Sequence, residues 1–235
     1  MKGIILAGGN ATRLRPLTSV TSKQLLPVYD KPMIFYPLQT LIDANIDDIL
    51  IIVAPEYAGH FVRLLGDGTD LGVKINYAIQ PVPRGLSDAF IIGKDFIGTG
   101  DVAMILGDNI FLGDLSEQIK EFDGGGMIFA KSVKDPERFG VVEVEGGKAV
   151  SIEEKPENPK SDLAIVGLYV FDNKVTTYAE NLKPSARGEL EITDIHKMYM
   201  INDKLKVQKV KCDWFDAGTF DSLIEVSNKI KEQRE

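Results

Sequence analysis

A pair of glycines near the start of the chain is followed by three cations. In KGIILAGGNATRLRPLTSVTSKQLLP, residues 2–27, the apolar run Ile4, Ile5, Leu6 and Ala7 reads as a buried strand that stops at Gly8 and Gly9. Backbone N–H groups at glycine approach an anion closely because no Cβ stands in the way. Arg13 and Arg15 add guanidinium forks that match phosphate oxygens, and Lys23 adds a mobile point charge. That combination suits a polyphosphate. It also fits an ordinary glycine turn with solvated basic side chains beyond it. The stretch is neither a P-loop, which needs Gly-Lys-Ser/Thr opening a helix, nor the G-x-G-x-x-G of a dinucleotide site.

Carboxylates form the second candidate set. Asp108 and Asp216 each follow an apolar strand, in Leu106-Gly107-Asp108-Asn109 and Trp214-Phe215-Asp216-Ala217-Gly218. Two carboxylates drawn from distant parts of a chain suit Mg²⁺, which takes one or two of them and completes its octahedron with water and substrate phosphates. Capping a turn or a helix start is the other ordinary task for such Asp residues. Lys155, in Ile152-Glu153-Glu154-Lys155-Pro156, ends a strand where it could reach a phosphate beside an acid able to bind sugar hydroxyls. The alternative there is a solvated charged turn. Arg187 could clamp a further phosphate or simply pair with Glu189 or Glu191.

Elements able to position these groups alternate through the first half. Helical spacing of Met33, Ile34, Leu38, Leu41 and Ile42, with Pro32 in the first turn, predicts a helix to Asn45. Ile49 to Val53 predicts a fully buried strand, Ala58 to Leu65 a helix and Val73 to Ile79 a strand. A third helix opens at Gly85, and a strand from Val102 to Leu106 leads to Asp108. Repeated β-α units imply a mainly parallel sheet with helices on both faces, whose ligands bind outside the carboxyl ends of the strands. Gly8, Gln80 and Asp108 all fall at such ends.

The second half reads as an antiparallel extension. Strands are expected at 127–133, 140–144, 149–153 and 165–171, with a turn at Glu145-Gly146-Gly147-Lys148. Helices near 175–181 and 191–200, a strand at 205–210 and a final helix from Phe220 complete the chain. The whole is expected to be one α/β domain, 1–235, with two interleaved lobes.

Composition narrows the partners. A net charge of −8 over 235 residues argues against nucleic acid, and no apolar run approaches a membrane span, so a cytoplasmic protein is expected. One cysteine, Cys212, and two histidines, His60 and His196, leave no Cys/His metal site. Packing or a surface position is the expected role of His196, and Trp214 is expected in the core or lining the site.

Taken in order, these motifs resemble the sugar-1-phosphate nucleotidyltransferases, and within them the glucose-1-phosphate thymidylyltransferases. The matching stretches include residues 2–27, Tyr29-Asp30-Lys31-Pro32-Met33, Gln80-Pro81, Leu106 to Phe111, Asp135 to Glu143, Glu153 to Pro156, Gly167-Leu168-Tyr169 and Lys183 to Asp194. The resemblance implies Mg²⁺-dependent transfer of a nucleotidyl group from dTTP to glucose 1-phosphate, with pyrophosphate leaving. Another base, another sugar phosphate or a non-catalytic nucleotide-sugar sensor are the alternatives. It implies that 1–112 is the nucleotide-binding lobe and 113–235 the sugar-phosphate-binding lobe. Arg13, Lys23 and Lys155 would be catalytic, and Leu6, Gly8, Gly9, Gln80, Gly85 and Asp108 would bind nucleotide. Gly140, Glu154, Lys155, Val166 and Arg187 would bind the sugar phosphate, and Asp108 and Asp216 the metal. A homo-oligomer is implied too; the C-terminal helical extension of longer members is expected to be absent, so the feedback inhibition and oligomer geometry carried there are not transferred to this chain. The chain departs from the family at Ala11, where a glycine is usual, at Ser87-Asp88 for Ala-Gln, at Ala217 for Thr and at His196 for Asn. If Ala11 is held at positive φ, about 1 kcal/mol of strain is expected there.

Overall fold

The computed structural model describes residues 1–9 and 11–234. Its first elements are strands β1 (Lys2–Ala7), β2 (Pro27–Val28) and β3 (Lys31–Pro32), helix α1 (Phe35–Asp43), β4 (Asp48–Val53), α2 (Ala58–Leu65) and β5 (Lys74–Ile79). Next come α3 (Asp88–Ile92), α4 (Lys94–Ile97), β6 (Val102–Leu106), β7 (Asn109–Leu112), α5 (Ser116–Lys120), β8 (Gly126–Ser132), β9 (Gly140–Glu145) and β10 (Lys148–Glu154). The chain finishes with β11 (Leu163–Phe171), α6 (Lys174–Asn181), α7 (Ile192–Ile201), β12 (Leu205–Lys209), β13 (Asp213–Asp216) and α8 (Phe220–Arg234). These segments make two compact units, one of residues 3–83, 105–117 and 212–235, the other of 1–2, 84–104 and 118–211.

In the first unit, β1, β4 and β5 lie side by side and parallel, with Gly3 to Ala7 in register with Ile49 to Val53, and Asp48 to Val53 with Lys74 to Ile79. Ile49, Leu50, Ile51, Ile52 and Val53 are all buried, as a strand covered on both faces requires. Beside them β7 and β13 form an antiparallel pair in which Asn109 faces Asp216 and Ile110 faces Phe215. The inner face of α8, Leu223, Val226 and Ile230, packs into one cluster with Leu14, Leu26, Val28, Met33, Tyr36, Ile110 and Ala217.

The second unit is mixed. β9 and β10 form a hairpin with Glu145 opposite Lys148, and the two linking glycines have φ of 56° and 84°. A two-residue turn of that hand matches the twist of the strands, and glycine adopts it without Cβ strain. β11 runs antiparallel to β8, and β12 runs parallel to β8. Phe90, Tyr169, Phe171, His196 and Tyr199 form an aromatic cluster with centroid distances of 5.2 to 6.4 Å, Phe90 meeting Phe171 edge-on.

This is the mixed α/β architecture, mainly parallel with an antiparallel extension, that the sequence indicates. Two local expectations need correction. Pro32 lies in β3 rather than in a helix, and α1 begins at Phe35, so the proline of its first turn is Pro37. The third helix starts at Asp88, because Gly85 sits at φ 110°, outside helical space. No helix among the described residues is long and apolar enough to cross a membrane.

Candidate active site

In the first unit, four of the expected site residues are each tied to one apolar cluster. Arg13 adjoins Leu14, Lys23 lies three residues before Leu26, Asp108 two before Ile110, and Asp216 adjoins Ala217; all four neighbours belong to that cluster. Burying a side chain such as Leu14, fully enclosed here, contributes roughly 2 kcal/mol, so the charged neighbours inherit fixed positions from apolar packing. Ala217, where the family resemblance has Thr, is part of that core and fully buried.

The β7/β13 pair brings the backbones of Asp108 and Asp216 side by side. Asp108 immediately precedes β7, Asp216 ends β13 opposite Asn109, and the Ala217 N–H donates to the Asp108 carbonyl at 2.9 Å. Lys23 makes an ion pair with Asp108, although 85 residues separate them. Burial pushes the Asp108 carboxyl up, but the Lys23 ammonium and the Asn109 amide more than offset it and hold the group below the usual carboxylate range. Asn109 bridges further: its Nδ2 donates to Asp108 at 3.2 Å, and its Oδ1 accepts from Trp214 Nε1 at 2.7 Å. The family motif names Asn109, but the role of Trp214 had no sequence signal, since it depends on strand register.

Glycines leave space here for close backbone approach. A Cβ at Gly218 would lie 2.8 Å from Arg13 Nη2 and 3.2 Å from Asp216 Oδ1, so the guanidinium and the second carboxylate flank that glycine. At Gly8 a Cβ would collide with Oε1 of the buried Gln80, and at Gly107 it would reach 2.9 Å from Gln24 and 3.1 Å from the Leu6 carbonyl. Leu6, Gly8 and Gln80 thus gather at the carboxyl ends of β1 and β5. Gly9, at φ 96°, has open space around it, and Arg15 is exposed. Ala11 has φ 42° and ψ 43°, the left-handed conformation that the missing glycine would favour, and Thr18 Oγ1 donates to its carbonyl at 2.8 Å.

The second unit holds the other set. Glu154 faces Gly140 across the hairpin, and a Cβ at Gly140 would lie 2.8 Å from Thr193 Cγ2 and 3.4 Å from Glu154 Oε2. Lys155 follows at φ 43°, its N–H bonded to the Phe139 carbonyl at 3.0 Å. The β11/β8 ladder shifts register between Ile165 and Tyr169, which interrupts regular pairing at Val166 and Gly167. Such irregularities re-aim a strand locally.

Arg187 is held from its own loop. Glu191 accepts from its Nε at 3.1 Å and its Nη2 at 2.8 Å, Glu189 lies 3.2 Å away and Glu154 3.5 Å. Ser185 Oγ donates to the same Glu191 at 2.6 Å. Burial and the neighbouring Glu191 raise the Glu154 carboxyl. In Glu191 itself burial also pushes upward, but Arg187 and Ser185 prevail and lower it. The sequence left Arg187 between clamp and local ion pair, and the structure makes that local pair.

Gly85 belongs to this unit as well, packed on the backbone of Leu190. Ser87 and Asp88 are buried, Asp88 with Arg84 at 2.6 Å. His196 is a packing residue with both ring nitrogens unpartnered, and burial lowers its pKa to about 3.

The donor set of Asp108 and Asp216, two hard carboxylates, one just before β7 and one at the end of its partner β13, fits a hard divalent cation. The first group of residues can therefore neutralise a polyphosphate, and the second can hold a phosphate beside a polyol.

Comparison with known proteins identifies the family. A model of the nucleotidyl transferase family matches residues 2–233. A glucose-1-phosphate thymidylyltransferase of Neisseria meningitidis is 55% identical over 98% of this chain and 83% of its own. One from Mycolicibacterium smegmatis is 53% identical over 98% of this chain and 82% of its own. A Bacillus anthracis structure assigned to the same enzyme class and solved with sucrose superposes with a TM-score of 0.94 at 44% identity, covering 99% of this chain and 96% of that one. A pyrophosphorylase solved with UDP-glucose, 22% identical, shares the fold with a TM-score of 0.86 over 99% of this chain and 98% of that one. With the family model spanning nearly every residue, this chain belongs to the nucleotidyl transferase family.

Proposed function

We propose that the protein is a glucose-1-phosphate thymidylyltransferase, converting dTTP and glucose 1-phosphate to dTDP-glucose and pyrophosphate. The observation that carries the reading is the gathering of Arg13, Lys23, Asp108 and Asp216 around one apolar cluster, in a chain 55% identical to a thymidylyltransferase. In the reaction an oxygen of the sugar phosphate forms a bond to the α-phosphorus, and the bond from that phosphorus to the β-bridging oxygen breaks. The electron pair leaves with pyrophosphate. Because the attacking group is already an anion, no protein nucleophile is required, and catalysis reduces to positioning and charge neutralisation.

Roles follow from the chemistry of each side chain. Arg13 and Lys23 bind the triphosphate and neutralise the departing pyrophosphate. The backbone at Leu6, Gly8, Gly9 and Gly85, with the Gln80 side chain, reads the base. Arg187 and Lys155 hold the sugar phosphate so that its oxygen points at the α-phosphorus. Glu154, with backbone at Gly140 and Val166, orients the sugar hydroxyls. Asp108 and Asp216 would hold Mg²⁺, which supplies further neutralisation of phosphate charge when bound. The same reading makes the enzyme a cytoplasmic homo-oligomer, on the family resemblance.

The test is pyrophosphate release with Mg²⁺ across dTTP, UTP, CTP, ATP and GTP against glucose, galactose and glucosamine 1-phosphates. Fastest turnover with dTTP and glucose 1-phosphate is expected. Preference for UTP or CTP would move the enzyme to another base, and binding of dTDP-sugars without turnover would make it a sensor.

A further inference from the structure

Leu190 sits between the carboxylates that hold Arg187, with Glu189 before it and Glu191 after it. Both of its backbone polar groups are taken by one turn: its N–H donates to the Arg84 carbonyl at 2.7 Å, and its carbonyl accepts from the Ser87 N–H at 3.2 Å. Between those two bonds lies Gly85. At its φ of 110°, a Cβ there would stand 2.5 Å from the Leu190 oxygen, 2.6 Å from its nitrogen and 3.0 Å from its carbonyl carbon. That contact is backbone on backbone, so no flexible side chain can yield to relieve it.

Each flank of this clasp is fixed in turn. On one side Arg84 pairs with the buried Asp88 at 2.6 Å. On the other, the Ser185 N–H donates to the Glu189 carbonyl at 2.9 Å and the Gly188 N–H to the Ser185 carbonyl at 2.8 Å, closing the loop that carries Arg187. Glu191 then grips the guanidinium with two hydrogen bonds, at 3.1 and 2.8 Å. A shift of the 84–88 turn therefore displaces Leu190, and with it the two carboxylates adjoining Leu190 in the chain.

We propose that the Gly85–Leu190 clasp couples the base-side turn to the Arg187 clamp, making Gly85 and Leu190 positioning residues for the sugar phosphate as well as for the nucleotide. The proposal rests on the function assigned above. A base seated on the turn restrains Leu190, so part of the entropy of ordering the Arg187 loop is already spent when the sugar phosphate arrives. Linkage makes the effect reciprocal: phosphate at Arg187 must tighten binding at the turn by the same factor.

Amide hydrogen exchange on the intact wild-type protein tests it with probes too small to touch both sides. Thymidine, lacking phosphates for Arg187, is expected to slow exchange at Leu190 and over 186–191 as well as over 85–88. Inorganic phosphate is expected to slow exchange at Ser87 as well as over 186–191. Protection confined to each probe's own segment would overturn the coupling, as would no protection of 85–88 by thymidine at any concentration. Gly85→Ala is expected to raise the dissociation constant for glucose 1-phosphate, measured by calorimetry without nucleotide, at least tenfold, and an unchanged constant would contradict the clasp. If that variant does not fold, the exchange experiment decides alone. Wild-type dTDP-glucose formation separates the two ideas: turnover without cross-protection sinks only the clasp, and cross-protection without turnover sinks only the enzyme.

Discussion

Lys23 and Arg187 are both cations held by carboxylates, but they are held in opposite ways. Lys23 is mostly buried and meets Asp108, 85 residues away, because β6 and β7 deliver that carboxylate and the apolar cluster around α8 fixes both ends. Arg187 is 38% exposed and is held chiefly by Glu189 and Glu191 from its own loop, with Glu154 added from β10. The first arrangement is a product of topology and desolvation, the second of local sequence. Long-range pairing under burial makes a rigid site whose disruption endangers the fold. A local, half-solvated cluster can exchange its carboxylates for a ligand phosphate at small structural cost.

That contrast is open to breakage. Lys23→Met should cost about 3 to 5 kcal/mol of stability, because it strands a buried carboxylate without its counter-charge; denaturant unfolding measures this, and a loss below about 1 kcal/mol would erase the distinction. Arg187→Met should change stability by only about 1 kcal/mol or less, since its exposed pairs are screened by solvent. It should nonetheless raise KM for glucose 1-phosphate at least tenfold in steady-state assays, and an equal loss of stability in the two variants would show that topology is not what separates them.

Between these two in size lies His196. Its pKa is about 3 when folded and 6.5 when unfolded, so below pH 6.5 the unfolded chain binds the extra proton and stability falls as the pH drops. The expected slope is about 1.4 kcal/mol per pH unit between roughly pH 6 and 4. His196→Phe keeps an aromatic ring in the stack with Phe171 and should flatten that slope in unfolding measurements made across the same range. The smallest expected effect is at Ala11, where φ is 42°. Ala11→Gly relieves left-handed strain worth about 1 kcal/mol, offset in part by the greater chain entropy of glycine. A melting midpoint raised slightly or unchanged is the expected result, and a clear fall would show that the loop is not strained.

Legibility in the sequence followed the same division. Buried strands such as Ile49–Val53 and Val102–Leu106 were readable because β-branched and apolar runs have few other uses, and the Gly146-Gly147 turn because a glycine pair is among the few that adopt positive φ at both positions without strain. The strain at Ala11 was readable because the departure itself pointed to a position needing positive φ. Helix starts were less so. Gly85 looked like the opening of a helix but serves a backbone contact with Leu190, which depends on a partner more than a hundred positions away in the chain. The link from Trp214 through Asn109 to Asp108 was likewise hidden, since strand register decides it. Ser87 and Asp88 stood out as departures from the family pattern; that both are buried, with Asp88 paired to Arg84 inside the turn, was not readable.

Asp108, a carboxylate set by the topology, is proposed to serve nucleotidyl transfer from dTTP to glucose 1-phosphate. Its most direct test is the rate of dTDP-glucose formation by Asp108→Asn beside wild type, with Mg²⁺ present and melting recorded for both. The amide keeps the size of the side chain, and its one oxygen can still accept from Lys23 at the loss of the Asn109 bond, so the variant should fold. A fall in kcat of at least about a thousandfold, the scale of losing a central charge-stabilising group, is the predicted result. Turnover within a few-fold of wild type would contradict it and remove Asp108 from the reaction.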